Sequence, residues 1–211
     1  MAQNGNGKTK KGLFGDLRQM CLLALFVAIE LLMKLLGLGS VPVGPLNMSF
    51  LTVPVAVGAM LLGPAAGLVM GGVFGLASLY DAVSGGSVMT GIFFQLDPFN
   101  TIVLCVGTRL LMGWLTGVLF QLFHRRSNTV SYFLGALAAP VMNTLFFMGY
   151  IVLVFYQTEF VQNLALTKGA ANPLMFVVLL VGVQGLVEAL VSTVIGGGVA
   201  KGVASVVKKK K

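Results

Sequence analysis

The sequence predicts an all-α membrane protein, a bundle of six transmembrane helices with the N- and C-termini cytoplasmic. Three observations predict it. The 211 residues are 57% hydrophobic and only 9% charged, against about a quarter charged in soluble domains. An ordinary soluble enzyme and a disordered chain are thereby excluded. The apolar runs are long and do not alternate, which suits helices of about 20 residues and not the roughly 10-residue alternating strands of an outer-membrane barrel. The basic residues also segregate. With the N-terminus inside, the inner segments hold Lys8, Lys10, Lys11, Arg18, Arg125, Arg126, Lys201 and Lys208 to Lys211, 11 of the 14 cations. The outer loops hold only Lys168, while Lys34 and Arg109 fall within spans. Such a bias sets membrane orientation and accounts for the formal charge of +8 without nucleic acid.

Residues 1–16 read as a disordered cytoplasmic tail, 17–200 as the membrane domain and 201–211 as a basic cytoplasmic tail. Helices are expected at 17–38, 48–62, 64–84, 101–123, 130–156 and 174–198. The first apolar run is too long for a signal-peptide core, and no small-residue cleavage site follows it. The second helix is short and contains Pro54, and Gly63-Pro64 turns tightly into the third. The inner turns are short. The outer loops 39–47, 85–100 and 157–173 are longer, and long loops in compact proteins are often lids or binding loops. Cys21 and Cys105 both lie in apolar stretches, so no disulfide framework is expected.

Small residues recur at four-residue spacing: Ala24 and Ala28 in the first helix, Gly63, Gly67, Gly71 and Gly75 at the third, Gly113 and Gly117 in the fourth. Such stripes let helix backbones approach closely in lipid. In the third and fourth helices they read as internal packing. Ala24 and Ala28 either pack internally or dock a partner helix.

The ionisable groups within spans are Glu30, Lys34, Arg109 and Glu188. Each costs about 2.5–3.5 kcal/mol at a helix centre on insertion scales and needs a polar partner, water or snorkelling. Glu30 and Lys34, spaced i,i+4, can pair on one face, or Lys34 can snorkel outward. Arg109 lies roughly 13 Å inward from the outer end of its helix at 1.5 Å per residue. It either pairs with a carboxylate such as Glu188 or awaits an anionic ligand, and its planar fork suits a carboxylate. Asn143 and Thr144 follow Pro140, and Gln184 precedes Glu188 by one turn; buried amides need partners, so these are interhelical glue or ligand contacts. Arg109, Asn143, Gln184 and Glu188 together put donors and acceptors on three helices, as a small polar ligand site requires. Tyr80, Asp81, Gln95, Asp97 and Asn100 crowd the outer mouth. Tyr80, Asp97, Asn47 and Lys34 complete the candidate substrate-binding set.

Catalytic readings fall away. His124, the single histidine, lies at the cytoplasmic end of the fourth helix, too far from the buried serines for a Ser–His pair. It cannot supply a two-histidine metal site. The segment GNGKT at 5–9 resembles the end of a phosphate-binding loop, but the motif's first glycine would fall on Ala2 and no strand can precede it. No catalytic residue, metal site or cofactor is expected. Two other classes stay open on the residues alone, a small intramembrane transferase and a structural or channel subunit.

Several segments carry a resemblance: ALFVA at 24–28, LTVPVAVGAMLLGPAAGLVMGGVFGL at 51–76, LDPFN at 96–100 with TRLLMGWLTG at 108–117, and PVMNTLFFMG at 140–149. In order and spacing they closely resemble the substrate-binding S components of energy-coupling factor (ECF) vitamin transporters, over about residues 17–198. The resemblance implies a six-helix bundle in a prokaryotic cell membrane that captures a vitamin from outside. It implies that Ala24 and Ala28 form a docking motif for a transmembrane coupling subunit served by two ATP-binding-cassette ATPases. It further implies that loops 39–47 and 85–100 close over a ligand held by polar residues of helices four to six, and that the loaded bundle tilts to release it inside. An arginine early in helix four and an asparagine in helix five look most like the pantothenate-type branch, with riboflavin, lipoate and pyridoxine-like vitamins as the alternatives.

Overall fold

A computed structural model of the chain describes residues 17–43, 45–124 and 129–209. The expected tail at 1–16 lies outside the described residues, as do the inner cations Arg125, Arg126, Lys210 and Lys211. The order of elements is α1 (Leu17–Leu35), a hairpin of β1 (Ser40–Val43) and β2 (Leu46–Ser49), α2 (Thr52–Leu62), α3 (Pro64–Ser84) and α4 (Val88–Leu96). Then come α5 (Pro98–His124), α6 (Val130–Phe155) and α7 (Glu159–Thr167). The last helix, α8, runs through Pro173–Val191, Ser192–Gly196 and Gly197–Lys209.

Among the described residues the regular structure is helical apart from the two-stranded hairpin. Among the described residues four helices are long and apolar enough to cross a bilayer: α3, α5, α6 and α8. The two other segments expected to span are α1, 19 residues carrying Arg18, Glu30 and Lys34, and α2, 11 residues long. At 1.5 Å per residue α2 covers roughly half of the hydrocarbon core. It is shorter than 48–62 because β2 takes its first residues. The three expected outer loops carry structure of their own, namely the hairpin, α4 and α7. The stretch read as a C-terminal tail from 201 is helical to Lys209.

Local chemistry sets the helix starts. Pro64, Pro98 and Pro173 each stand in the first turn of a helix, where their fixed φ fits and no N–H is missed. Asp97 and Asn172 precede the latter two as N-caps, their side chains accepting from Asn100 N and Met175 N. Gly85 closes α3 with φ +79°, a left-handed cap that costs glycine nothing.

The glycine stripes form a seam between α3 and α5. A Cβ on Gly67 or Gly113 would collide with the other's backbone, and one on Gly71 with the carbonyl of Arg109. The two helices therefore touch backbone to backbone, and Arg109 is anchored in the seam. Pro140 lies inside α6 and cannot bond the carbonyl four residues back. That carbonyl, of Ala136, accepts instead from Ser192 Oγ of α8 at 2.8 Å.

Two apolar clusters make the core. One surrounds Phe26, Val55, Met70, Phe74, Met112 and Phe120. The other, toward the hairpin, surrounds Leu46, Phe93, Phe147, Phe155 and Phe176. Phe93 and Phe155 stack there at 4.2 Å between ring centroids. Arg109 lies between the clusters, its guanidinium 5.3 Å from the Phe74 ring centre and 3.8 Å from that of Phe147.

Candidate functional site

A small, partly open cavity of about 50 Å³ lies beneath the hairpin. The hairpin contributes Ser40, Leu46, Asn47 and Ser49; α3 contributes Phe74, Ser78 and Asp81; Ser87 and Thr90 come from the start of α4, and Arg109 and Phe147 from α5 and α6. Such a volume holds a few water molecules, since one needs roughly 10–15 Å³ by this measure. Organic ligands occupy sites of about 300 Å³ and more, so a vitamin enters only if the wall moves.

Arg109 is the buried charge of this wall, 5% exposed. Its Nη1 donates to the Leu104 carbonyl at 3.0 Å and to Thr108 Oγ1 at 3.1 Å. Leu104 lies in a π-turn, Val103–Gly107, a local widening that recurs at functional sites. Nε has no partner, and neither does Thr90 Oγ1 on the same cavity. An unmade bond to a buried donor costs about 1–3 kcal/mol. The two aromatic faces offset part of the guanidinium's desolvation. No ion pair joins Arg109 to Glu188, so of the two alternatives for this arginine the carboxylate pairing is not the one the structure holds.

Lys34 pairs with Asp81 across α1 and α3 and reaches Ser40 Oγ at 3.4 Å. Glu30 and Lys34, which could have paired along one helix face, do not, because Lys34 bonds Asp81 of α3 instead. Glu30 is fully buried, with no partner for either oxygen. Through Asp81 and Ser40, Lys34 touches two residues of the cavity wall without lining it.

Glu188, 5% exposed, accepts the backbone N–H of Ser49 at 2.6 Å, and Gln184 adds a side-chain hydrogen bond to it. Neither lines the cavity. Asn47 does, with its Nδ2 donating to the Gly86 carbonyl at 3.0 Å. Asn143 is half-buried on α6, its Oδ1 unpartnered, and lies off the cavity wall. Tyr80 is 68% exposed and also lies off it. Asp97 spends its carboxylate on Asn100, whose Oδ1 accepts from Tyr150 Oη at 2.7 Å. Those Asn100 bonds hold the Asp97 carboxyl below its ordinary value.

The structure thus gathers Arg109 and Asn47 of the candidate set on one cavity, with Lys34 and Glu188 bonded to its wall. The remaining four lie elsewhere. The wall residues absent from that set are Asp81 and the hydroxyls of α3, α4 and the hairpin. Asp81 carries a readable signal, since it stands in the last turns of a spanning helix at the mouth where Lys34 lacks a partner. The serines carry none. A larger groove of about 550 Å³ runs between α6 and α8, from Pro140 and Thr144 to Gly185 and Ala189. It is almost wholly apolar and open, and no charged residue lines it.

A family model described as ECF transporter, substrate-specific component, matches residues 18–196. In sequence the chain is similar to the pantothenate transporter PanT of Leuconostoc mesenteroides subsp. mesenteroides, 33% identical over 126 residues. That stretch covers 55% of this chain and 59% of that protein.

Proposed function

The chain belongs to the family of ECF transporter substrate-specific components, and from that premise we propose that it captures a small carboxylate-bearing vitamin, pantothenate first, and delivers it to a coupling module. The family is one of transporter components, not of enzymes. The observation that carries the reading is Arg109, a desolvated guanidinium with a free Nε on a polar cavity. A carboxylate there supplies the missing acceptor, and the bond strengthens in a site closed to water. The hydroxyl-rich wall suits a ligand with hydroxyl and amide groups, as pantothenate has. The similarity to a pantothenate transporter supports the same choice.

In this reading the bundle sits multi-pass in a prokaryotic cell membrane with both termini inside, as the distribution of cations favours. The hairpin, α4 and α7 then face outward, where the solute arrives. The hairpin lifts, the carboxylate meets Arg109, and the wall closes around the remaining polar groups. Ala24 and Ala28 are exposed on α1 beside Leu25 and Ile29, which fits a face left for a transmembrane coupling subunit. Energy comes from two ATPases of that module.

A thermal-shift screen of the purified chain against a panel of vitamins tests the proposal. Pantothenate is expected to raise the melting temperature more than riboflavin, lipoate or pyridoxine. A larger shift with one of those moves the substrate. No shift with any vitamin removes the capture role.

A further inference from the structure

We infer that Glu188 is a positioning residue whose carboxylate latches the β1–β2 hairpin shut over the cavity, and that it does not contact ligand. A two-stranded hairpin is marginal by itself in water. This one has four residues on each strand, paired from Ser40 with Ser49 to Val43 with Leu46. Something outside it must hold it down. Among the described residues four side-chain bonds tie it to α1, α2, α8 and the turn at Gly86, and Leu46 packs in the second apolar cluster; the Thr52 bond is set by the adjoining start of α2. Lys34 to Ser40 is long, at 3.4 Å, beyond the usual range. Asn47 to Gly86 is exposed to solvent. Ser49 N–H to Glu188 Oε1, at 2.6 Å, is the shortest of the four and buried.

Its placement suits a latch. Ser49 is the last residue of β2, and Thr52 Oγ1 donates to its carbonyl at 3.2 Å. The Glu188 bond therefore fixes the joint where the hairpin hands over to α2. Glu188 belongs to α8, far along the chain, with Gln184 one turn earlier on the same helix. The carboxylate is off the cavity wall and forms no ion pair with Arg109. It is committed to the lid. That the space under this lid receives the ligand rests on the function proposed above; the latch itself does not.

The experiment is hydrogen exchange of the full-length chain in nanodiscs without ligand. Glu188→Asp withdraws the carboxylate by one methylene, and Glu188→Leu removes the acceptor. Both should raise exchange in residues 46–51 about tenfold, as local opening does, while the α3–α5 seam keeps its protection. Glu188→Gln keeps an acceptor and should stay close to the wild-type rate. Should Glu188→Leu unfold the chain, the Asp and Gln variants decide. Unchanged exchange at 46–51 in Glu188→Asp, or equal opening in Glu188→Gln and Glu188→Asp, overturns the latch. In a second arm with radiolabelled pantothenate, Glu188→Asp should speed association and dissociation together. A large loss of affinity in Glu188→Gln would make the carboxylate a ligand contact and overturn the inference. If the wild type binds no pantothenate, the substrate reading fails while the exchange arm still judges the latch.

Discussion

Arg109 concentrates the account at the scale of the residue. It is a buried cation with one carbonyl and one hydroxyl partner, two aromatic faces and an Nε without an acceptor. Replacing it with alanine should weaken pantothenate binding by about 2–5 kcal/mol, the range for truncating one partner of a buried charge pair. Lysine keeps the charge and loses the fork, so Arg109→Lys should fall between the two. Equilibrium binding on the purified variants checks both, and unchanged affinity in Arg109→Ala would take the residue out of the site. Arg109 stands out in the sequence because a cation so deep in a span is rare. Glu188 stands out in the same way, but its partner does not, since a backbone N–H has no sequence signature. The pairing of Lys34 is hidden for a related reason. Helical spacing names the neighbour on the same helix, while Asp81 arrives from another.

At the scale of elements, the seam between α3 and α5 is the firmest part of the fold and was legible from glycine spacing. Gly71→Ala would press a methyl into the Arg109 carbonyl and should cost about 1–3 kcal/mol, typical of overpacking. Gly149→Ala meets nothing within 4 Å and should change stability little. Thermal unfolding of the two variants side by side checks the contrast, and equal melting temperatures would deny the close approach. For α1, Ala24→Trp should leave ligand binding intact and abolish uptake by cells carrying the coupling module. Normal uptake would place the docking face elsewhere. Helix starts at Asp97-Pro98 and Asn172-Pro173 follow from capping chemistry, and lie three residues and one residue ahead of the starts at 101 and 174 expected from hydropathy. The hairpin, α4 and α7 were read as loops because each is short and lies in a stretch recognised by its length. The π-turns carry no composition of their own, and that at Val103–Gly107 precedes Arg109 by two residues.

For the whole molecule, composition and cation placement spoke before any coordinate. A chain so poor in charge has to live in lipid, and the seat of its few lysines favours one orientation. With Cys21 replaced by alanine and the buried Cys105 left in place, Lys168→Cys should react with a membrane-impermeant thiol reagent on intact cells. Lys201→Cys should react only after permeabilisation. The opposite pattern would invert the bundle and put the hairpin on the wrong side to meet an external solute. What the sequence left hidden was the location of the cavity. Five expected helices supplied the polar candidates, but the hairpin that roofs the space is assembled by tertiary contacts, and so the wall lies toward α3 and α4.

The central claim is that this chain alone holds a water-soluble vitamin, with no partner and no ATP. Isothermal titration of pantothenate into the purified full-length protein measures that directly. The account predicts saturable binding of one molecule per chain, lost in Arg109→Ala. Absence of saturable heat in the wild type, or binding that appears only with the coupling module present, would contradict it.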